Sequence, residues 1–225
     1  MSSSLVRCFW AVRPPDENLE QVSQLVRTLK RPVADLGLKV SWVPTESYHL
    51  TLKFLGDVAE ERIGEMITHV ESQLAGVKLA AAPKLELKGL GVFPGVHRPQ
   101  VLFVDTREVS GRGPADAEPV SGELAAVQAG LERWLTPLGF TPESRPFHPH
   151  LTVGRVRSAS AQLATERRAA LPALLQRHAA TAGGPPFAVE ELILYESEPT
   201  SAGPKYTPLV RLPLISTSHR AGPAS

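Results

Sequence analysis

One tripeptide, His-Leu-Thr, occurs twice in this chain and brings together residue types suited to acid–base chemistry on an anionic substrate. The first copy opens the stretch HLTLKFLG at His49, and the second opens HLTVGRV at His150. An imidazole titrates near neutral pH and therefore gives or takes a proton under ordinary conditions. A threonine hydroxyl donates a hydrogen bond to an oxygen. The pattern indicates two sites that each combine proton transfer with hydrogen-bond donation.

Both stretches are rich in Leu, Val, Thr and Phe, which is typical of β-strands. Side chains alternate across a strand, so a His and a Thr two residues apart point to the same face. The intervening leucines, Leu50 and Leu151, are expected to point into a core. Two such strands placed opposite each other would form a groove with one His and one Thr on each wall.

The composition is that of an ordinary globular protein. The chain has 225 residues, of which 42% are hydrophobic and 21% charged, with a net charge of +1. Bulk charge therefore neither favours nor excludes a nucleic-acid partner. The single cysteine, Cys8, rules out an internal disulfide, lies in a strand-like run and is interpreted as a core residue in a reducing cytoplasm. We expect neither a signal peptide nor a membrane span.

Periodicity and turn residues predict a mixture of helices and mostly antiparallel strands, which is an α+β pattern. Strands are predicted at residues 5–12, 38–43, 49–55, 84–90, 100–105, 147–153, 187–195 and 206–214. Helices are predicted at 16–30, 57–74 and 123–138, with Asp16 and Asp57 as caps, and a further helix broken or restarted at Pro172.

The two motifs resemble the HxT signatures of the two-histidine phosphoesterase superfamily. The surrounding text is similar to its RNA 2′,3′-cyclic phosphodiesterases, historically called 2′-5′ RNA ligases (LigT or ThpR). The resemblance extends over RCFWAVRPP (7–15), VSWVPTESYHLTLKFLGDV (40–58), LKGLGVFPGVHRPQVLFV (87–104), GFTPESRPFHPHLTVGRVR (139–157) and LYESEPTSAGPKYTPLVRLPL (194–214).

This resemblance implies a bilobed fold, with two pseudo-symmetric, mostly antiparallel sheets backed by helices around a central cleft. The chain is expected to pass between the lobes more than once, so residues 1–215 are predicted to form one bilobed domain. Residues 107–122 are rich in Gly, Pro, Ser and acid and are predicted to be a surface-loop insertion. Residues 216–225 are predicted to be a disordered tail.

The resemblance also implies the roles of the motif residues. Opening a 2′,3′-cyclic phosphate with water needs a base for the water, an acid for the departing oxygen and donors for the phosphate oxygens. In-line attack requires the base and the acid on opposite sides of phosphorus, which two opposed strands supply. We assign His49 as the general acid and His150 as the general base, with Thr51 and Thr152 binding the phosphate. No metal or other cofactor is expected.

Three further residues are candidates for substrate contacts. Arg155 matches the arginine that ends the family's second motif, which implies a phosphate contact. In a regular strand, however, Arg155 and Phe54 would face away from the motif histidines, so Phe54 fits core packing as well as base stacking. A bulge or strand end at Gly154 would turn Arg155 back. Lys53 shares the parity of His49 and is predicted to lend positive charge to the groove.

The predicted substrates are RNA ends or cyclic nucleotides, handled by a cytoplasmic monomer with no membrane attachment and no obligate protein partner. Reversible 2′-5′ ligation of tRNA halves uses the same residues, so the sequence leaves it open. Another cyclic-nucleotide substrate also stays open. A non-catalytic RNA-binding module is a third alternative, disfavoured because binding alone does not need two titratable groups.

Overall fold

The computed structural model describes residues 4–77, 79, 81–109, 122–159, 165–179, 184–200 and 203–214. The predicted tail and most of the predicted insertion, residues 110–121, lie outside this part of the chain. The predicted start of that insertion was wrong, because Arg107 and Glu108 continue a strand.

Nine strands and four α-helices make up the described residues. The strands are β1 (Leu5–Val12), β2 (Leu38–Trp42), β3 (Leu50–Ala59), β4 (Lys84–Phe93), β5 (Val101–Glu108), β6 (His150–Ala159), β7 (Phe187–Ala188), β8 (Glu191–Thr200) and β9 (Gly203–Pro213). The helices are α1 (Asp16–Asp35), α2 (Glu60–Ala75), α3 (Glu123–Leu135) and α4 (Thr165–Ala179). Short 3₁₀ turns occupy Thr45–Ser47 and Thr136–Leu138.

The strands form one antiparallel sheet in the order β7-β4-β5-β6-β3-β1-β8-β9, with β2 also paired to β6. We divide this sheet at the pairing of β6 with β3 into two halves: β7-β4-β5-β6 with β2, and β3-β1-β8-β9. The predicted α+β class is therefore confirmed. The C-terminal hairpin β8–β9 lies beside β1, so the chain passes between the halves more than once, as expected. A single residue pair, Leu50 opposite Leu151, joins the two motif strands and with them the two halves.

The core lies on the side of the sheet opposite the motif histidines. Leu50 and Leu151 are fully buried there, which confirms their predicted direction. Helix α1 packs the predicted apolar stripe against the same core, and Leu19, Val22 and Leu29 of that stripe are fully buried. Burying such leucine and valine side chains contributes about 1.5–3 kcal/mol each.

Two expected helix caps and one expected helix break differ in the structure. Asp16 makes no cap hydrogen bond and instead accepts one from Arg13, 2.6 Å away. Asp57 lies inside β3, because that strand continues to Ala59 before α2 begins. Pro172 lies within a continuous α4 rather than breaking it.

Both motif strands carry a bulge at the same position, three residues after the histidine. Leu52 of β3 has no partner residue in the pairing of β3 with β1. Val153 of β6 likewise has no partner residue in the pairing of β6 with β5. One extra residue reverses the side-chain parity of everything that follows it. As a result Phe54 and Arg155 return to the face that bears the two histidines. We call this face of the sheet, with His49, Thr51, His150 and Thr152, the motif face.

Gly154 is required for space rather than for an unusual dihedral angle. Gly154 is not among the glycines with a positive φ, so dihedral freedom does not explain why a glycine stands here. A Cβ built on Gly154 would lie 2.6 Å from Val40 Cγ1 and 3.2 Å from Trp42 Cε3. The missing side chain therefore lets β2 lie against β6 immediately after the second motif.

Two glycine replacements are expected to change stability in opposite directions. The new methyl group of Gly154→Ala would push the side chains of Val40 and Trp42 away from β6. This variant should lower the free energy of unfolding by about 1–3 kcal/mol. Gly64→Ala, in the middle of α2 with nothing within 4 Å of the new Cβ, should raise it by about 0.5–1 kcal/mol. Urea unfolding of both variants checks this, and an unchanged Gly154→Ala protein would contradict the tight contact.

Candidate active site

The motif residues form a quartet on the motif face. Leu50 pairs with Leu151, and the same antiparallel register continued by one residue in each direction sets His49 opposite Thr152 and Thr51 opposite His150. Each strand thus sets its histidine beside the threonine of the other strand. The two imidazoles are close enough for the charge of His150 to lower the pKa of His49. The sequence prediction that both motifs share one surface agrees with this register.

Each catalytic candidate uses its Nδ1 atom for the same backbone contact. The Nδ1 atom of His49 lies 2.8 Å from the Ser47 carbonyl oxygen, and that of His150 lies 2.8 Å from the His148 carbonyl oxygen. A carbonyl oxygen only accepts, so each Nδ1 carries the proton and donates it. The Nε2 atom of both rings is therefore the one left to exchange a proton with a substrate.

His49 is enclosed by aromatic rings from the outer strands of its half. Its ring centroid lies 4.7 Å from Phe9, 4.9 Å from Tyr206 and 6.1 Å from Tyr195. Burial among these rings lowers the pKa of His49 from 6.5 to about 4, with further lowering from the positive charges of Arg155 and His150. The hydrogen bond to the Ser47 carbonyl acts in the opposite direction. His49 is accordingly neutral in the free protein at neutral pH.

His150 lies against a different wall. The rings of Phe93 and Phe103 are stacked with their centroids 4.2 Å apart, and the His150 ring makes T-shaped contacts with both, at centroid distances of 5.1 Å and 5.4 Å. Gly91 lies directly across from Phe103, and a Cβ there would collide with the Phe103 ring. Burial lowers the pKa of His150, and the hydrogen bond to the His148 carbonyl and the nearby Asp105 carboxylate oppose that lowering.

The depressed pKa of His49 predicts a specific pH dependence of stability. The unfolded chain takes up a proton near the ordinary value of 6.5 and the folded chain only near about 4, so the unfolded state binds more protons between these values. We therefore expect the wild type to lose stability relative to His49→Gln as the pH falls from 6.5 to about 4. Urea unfolding at several pH values tests this, and an NMR titration midpoint of His49 near 6.5 would contradict it.

Arg155 and Phe54 lie on the motif face at corresponding positions of the two strands. Burial lowers the pKa of His49 and of His150, and the positive charge of Arg155 adds to both effects; the same charge opposes the burial that raises the pKa of Tyr206. Phe54 is 66% exposed, and its ring lies 5.9 Å from that of Phe9. The structure thus brings a cation and an exposed aromatic ring to the histidine pair, one from each half.

The prediction that Lys53 shares the face of His49 is wrong, because the bulge at Leu52 turns Lys53 towards the helices. Its residue surface is only 4% exposed. The ammonium lies 2.6 Å from a Glu132 carboxylate oxygen and donates to the Thr141 carbonyl, also at 2.6 Å. With its charge paired in the core, Lys53 does not lend positive charge to the motif face.

Sequence analysis missed the aromatic rings and the carboxylate that surround the histidines. Five rings and one acid belong to this group: Phe9, Phe93, Phe103, Tyr195, Tyr206 and Asp105. They come from β1, β4, β5, β8 and β9, which are far apart along the chain. A usable signal was that Phe103 and Asp105 alternate along one strand, as strand residues facing one side do.

The structure agrees with the interpretation of Cys8 as a core residue. Cys8 is buried, and burial raises the pKa of its thiol to about 11, which agrees with a core residue rather than a nucleophile.

Within the described ranges, no three His, Cys, Asp or Glu side chains are grouped closely enough to hold a metal ion. Across those same ranges, no helix is both long and apolar enough to cross a membrane.

Comparison with known proteins finds RNA 2′,3′-cyclic phosphodiesterases among the relatives of this chain. An RNA 2′,3′-cyclic phosphodiesterase of Aeropyrum pernix is 36% identical over 138 residues, which cover 61% of this chain and 69% of the relative. A protein of the same name from Methanothermobacter thermautotrophicus is 33% identical over 202 residues, covering 90% of this chain and 95% of the relative.

A solved structure and a protein-family model also match this chain. The solved structure of the protein TT0787 from Thermus thermophilus superposes with a TM-score of 0.64 and 25% identity, covering 92% of this chain and 97% of that one. The model of the LigT-like phosphoesterases matches twice in succession, over residues 12–103 and 115–206, and each match contains one HxT motif. The chain therefore belongs to the LigT-like phosphoesterase family.

Proposed function

We propose that this protein hydrolyses 2′,3′-cyclic phosphate ends of RNA or of nucleotides to 2′-phosphomonoesters, using His49 and His150 as an acid–base pair. The observation that supports the proposal is the quartet of motif residues beside the Leu50–Leu151 pair. There, two opposed strands present two free Nε2 atoms and two hydroxyls on the motif face. The names of the two relatives supply the substrate class.

The reaction uses each part of the quartet. A water oxygen forms a bond to phosphorus while the bond from phosphorus to the ribose 3′ oxygen breaks. One Nε2 takes the proton of the water, and the other Nε2 gives a proton to the departing 3′ oxygen. Thr51 and Thr152 donate to the non-bridging oxygens, and the guanidinium of Arg155 stabilises the charge that develops there. The product keeps its phosphate on the 2′ oxygen.

The family resemblance implies the pair, and our own assignment of the order within it makes His49 the acid and His150 the base. In the free protein His49 has a pKa of about 4, so an anionic phosphate at its Nε2 must first raise that pKa before His49 can act as an acid. A substrate with sulfur in place of the 3′ bridging oxygen tests the order, because a thiolate leaves without protonation. The variant lacking the acid should keep much of its rate on this substrate, and the variant lacking the base should not.

Phe54 is the proposed contact for a nucleobase. An exposed ring beside the catalytic pair offers a flat apolar surface, and stacking of one base on an aromatic ring is worth about 1–3 kcal/mol. Lys53 has no part in this proposal, since its charge is paired with Glu132.

Both histidines come from one chain, so the proposed reaction needs no second copy. We retain a single bilobed unit over residues 1–215 and a cytoplasmic location as parts of the proposal, the latter supported by the lone buried cysteine.

Incubation of the EDTA-treated protein with 2′,3′-cyclic GMP tests the function directly. Chromatography that resolves 2′-GMP from 3′-GMP should show 2′-GMP alone, and the His49→Ala/His150→Ala protein should form none. Formation of 3′-GMP would overturn the proposed leaving group. Turnover that persists in the double variant would remove the histidine pair from the mechanism.

A further inference from the structure

Asp105 and His148 lie beside His150, and among the residues that the structure describes no carboxylate or second imidazole of this kind accompanies His49. Residue 148 precedes the second motif histidine by two positions, where the first motif has Ser47. Both residues offer the carbonyl that receives the Nδ1 proton, but only His148 adds an imidazole. The His148 Nε2 atom lies 3.6 Å from an Asp105 carboxylate oxygen.

Register places the carboxylate of this pair directly across from the catalytic candidate. Asp105 of β5 lies opposite His150 of β6, and directly opposite residues of an antiparallel pair project to the same face. One Asp105 oxygen also accepts the backbone N–H of Thr106, 2.9 Å away, which helps to hold the carboxylate in place.

The two imidazoles share one apolar wall. The His148 ring lies 5.5 Å from Phe93 and 5.6 Å from Phe103, and the His150 ring contacts the same two rings. The two imidazole centroids are 6.2 Å apart. A stacked aromatic pair on one side reduces solvent screening, so charges on Asp105 and His148 act on His150 more strongly than they would in open water.

We propose that Asp105 and His148 form a positioning pair that sets the proton affinity of His150 in the proposed reaction, with the carboxylate keeping His150 basic. This inference rests on the proposed function only for its role in turnover. Desolvation alone would leave His150 a weak base, because it lowers the pKa of a buried imidazole. The hydrogen bond to the His148 carbonyl and the charge of the Asp105 carboxylate oppose that effect, whereas the charge of the His148 imidazole adds to it.

Other charged groups approach His150 from its own strand and from its neighbours. Arg155 of β6 also lowers the pKa of His150, and His49 approaches from β3. Further along β4 and β5, Arg107 lies 2.7 Å from Glu86, and Lys88 lies 4.0 Å from the same carboxylate, so these charges pair with one another. Asp105 is thus the acid that faces His150 from the neighbouring strand.

NMR titration of the histidine ring protons in the substrate-free protein tests the pair without requiring activity. Asp105→Asn should move the His150 midpoint to lower pH, and His148→Gln should move it to higher pH. Asp105→Glu should restore the wild-type midpoint. Asp57→Asn, which removes an exposed carboxylate 3.8 Å from Arg7 at the far end of β3, should leave it unchanged.

The same variants separate this inference from the proposed function. With 2′,3′-cyclic GMP, Asp105→Asn should lower kcat/KM at neutral pH roughly tenfold and shift its acid limb in the same direction as the titration. Opposite midpoint shifts in a protein that does not hydrolyse the substrate would support the pair and overturn the function. An active enzyme whose His150 midpoint ignores Asp105→Asn, or shifts alike in both variants, would overturn the pair alone.

Discussion

Alanine at either motif histidine is expected to lower kcat on 2′,3′-cyclic GMP by about 10²–10⁴-fold, the usual contribution of one positioned acid or base. The loss follows from the geometry, since each Nε2 is the sole free nitrogen of a ring whose Nδ1 is held by a carbonyl. Steady-state assays of His49→Ala and His150→Ala give the two factors. Because the histidines act as a unit, the double variant should lose far less than the product of the two losses.

A matched histidine elsewhere controls for general damage. His69 lies on α2, and its Nε2 atom is 3.0 Å from the Trp134 carbonyl, away from the motif face. His69→Gln can keep that hydrogen bond and should retain the wild-type kcat. Wild-type turnover in either motif variant, with folding verified by circular dichroism, would exclude that histidine from the mechanism.

Replacement of Lys53 with methionine is expected to lower the free energy of unfolding by about 3–5 kcal/mol, because it leaves the Glu132 carboxylate buried without its cation. The side chains of Lys53 and Glu132 are only 3% and 17% exposed, and their charged atoms lie 2.6 Å apart. Urea denaturation gives the loss. Lys53→Met/Glu132→Gln should recover most of it, since no isolated charge then remains in the core.

An exposed ion pair supplies the comparison. Lys205 and Glu198 lie 3.4 Å apart with side chains 68% and 51% exposed, so Lys205→Met should cost less than about 1 kcal/mol. A Lys53→Met loss of similar size would mean that Glu132 is satisfied by its other partners, Gln128 and the Glu143 backbone N–H.

The elements that sequence could predict are those whose signal is local. Alternation placed Leu50 and Leu151 in the core, and helical spacing identified the buried stripe of α1. The duplicated His-x-Thr motif identified the residues of the candidate site. Each inference depended on residues within one strand or one helix, where a fixed period decides which face a side chain occupies.

Failures of sequence analysis arose where a distant strand decides the outcome. Lys53, Phe54 and Arg155 all follow a bulge, and a bulge exists only relative to the register of the partner strands β1 and β5. A strict period of two therefore assigned Lys53 to the wrong face and left Phe54 and Arg155 open. Asp105 and Tyr206 were missed for a related reason, since their closeness to the histidines depends on pairing across the sheet.

The seam at Leu50 and Leu151 also bears on the origin of the fold. Leu50 pairs with the residue at the corresponding position of the second motif, and pairing between counterparts is what a twofold axis requires. Two matches of equal length to one family model indicate an internal duplication, so an ancestral half could have assembled this sheet as a homodimer. Such a dimer would hold two identical histidines in identical surroundings. In the present chain the two surroundings differ, since Asp105 and His148 lie beside His150 whereas Phe9, Tyr195 and Tyr206 surround His49.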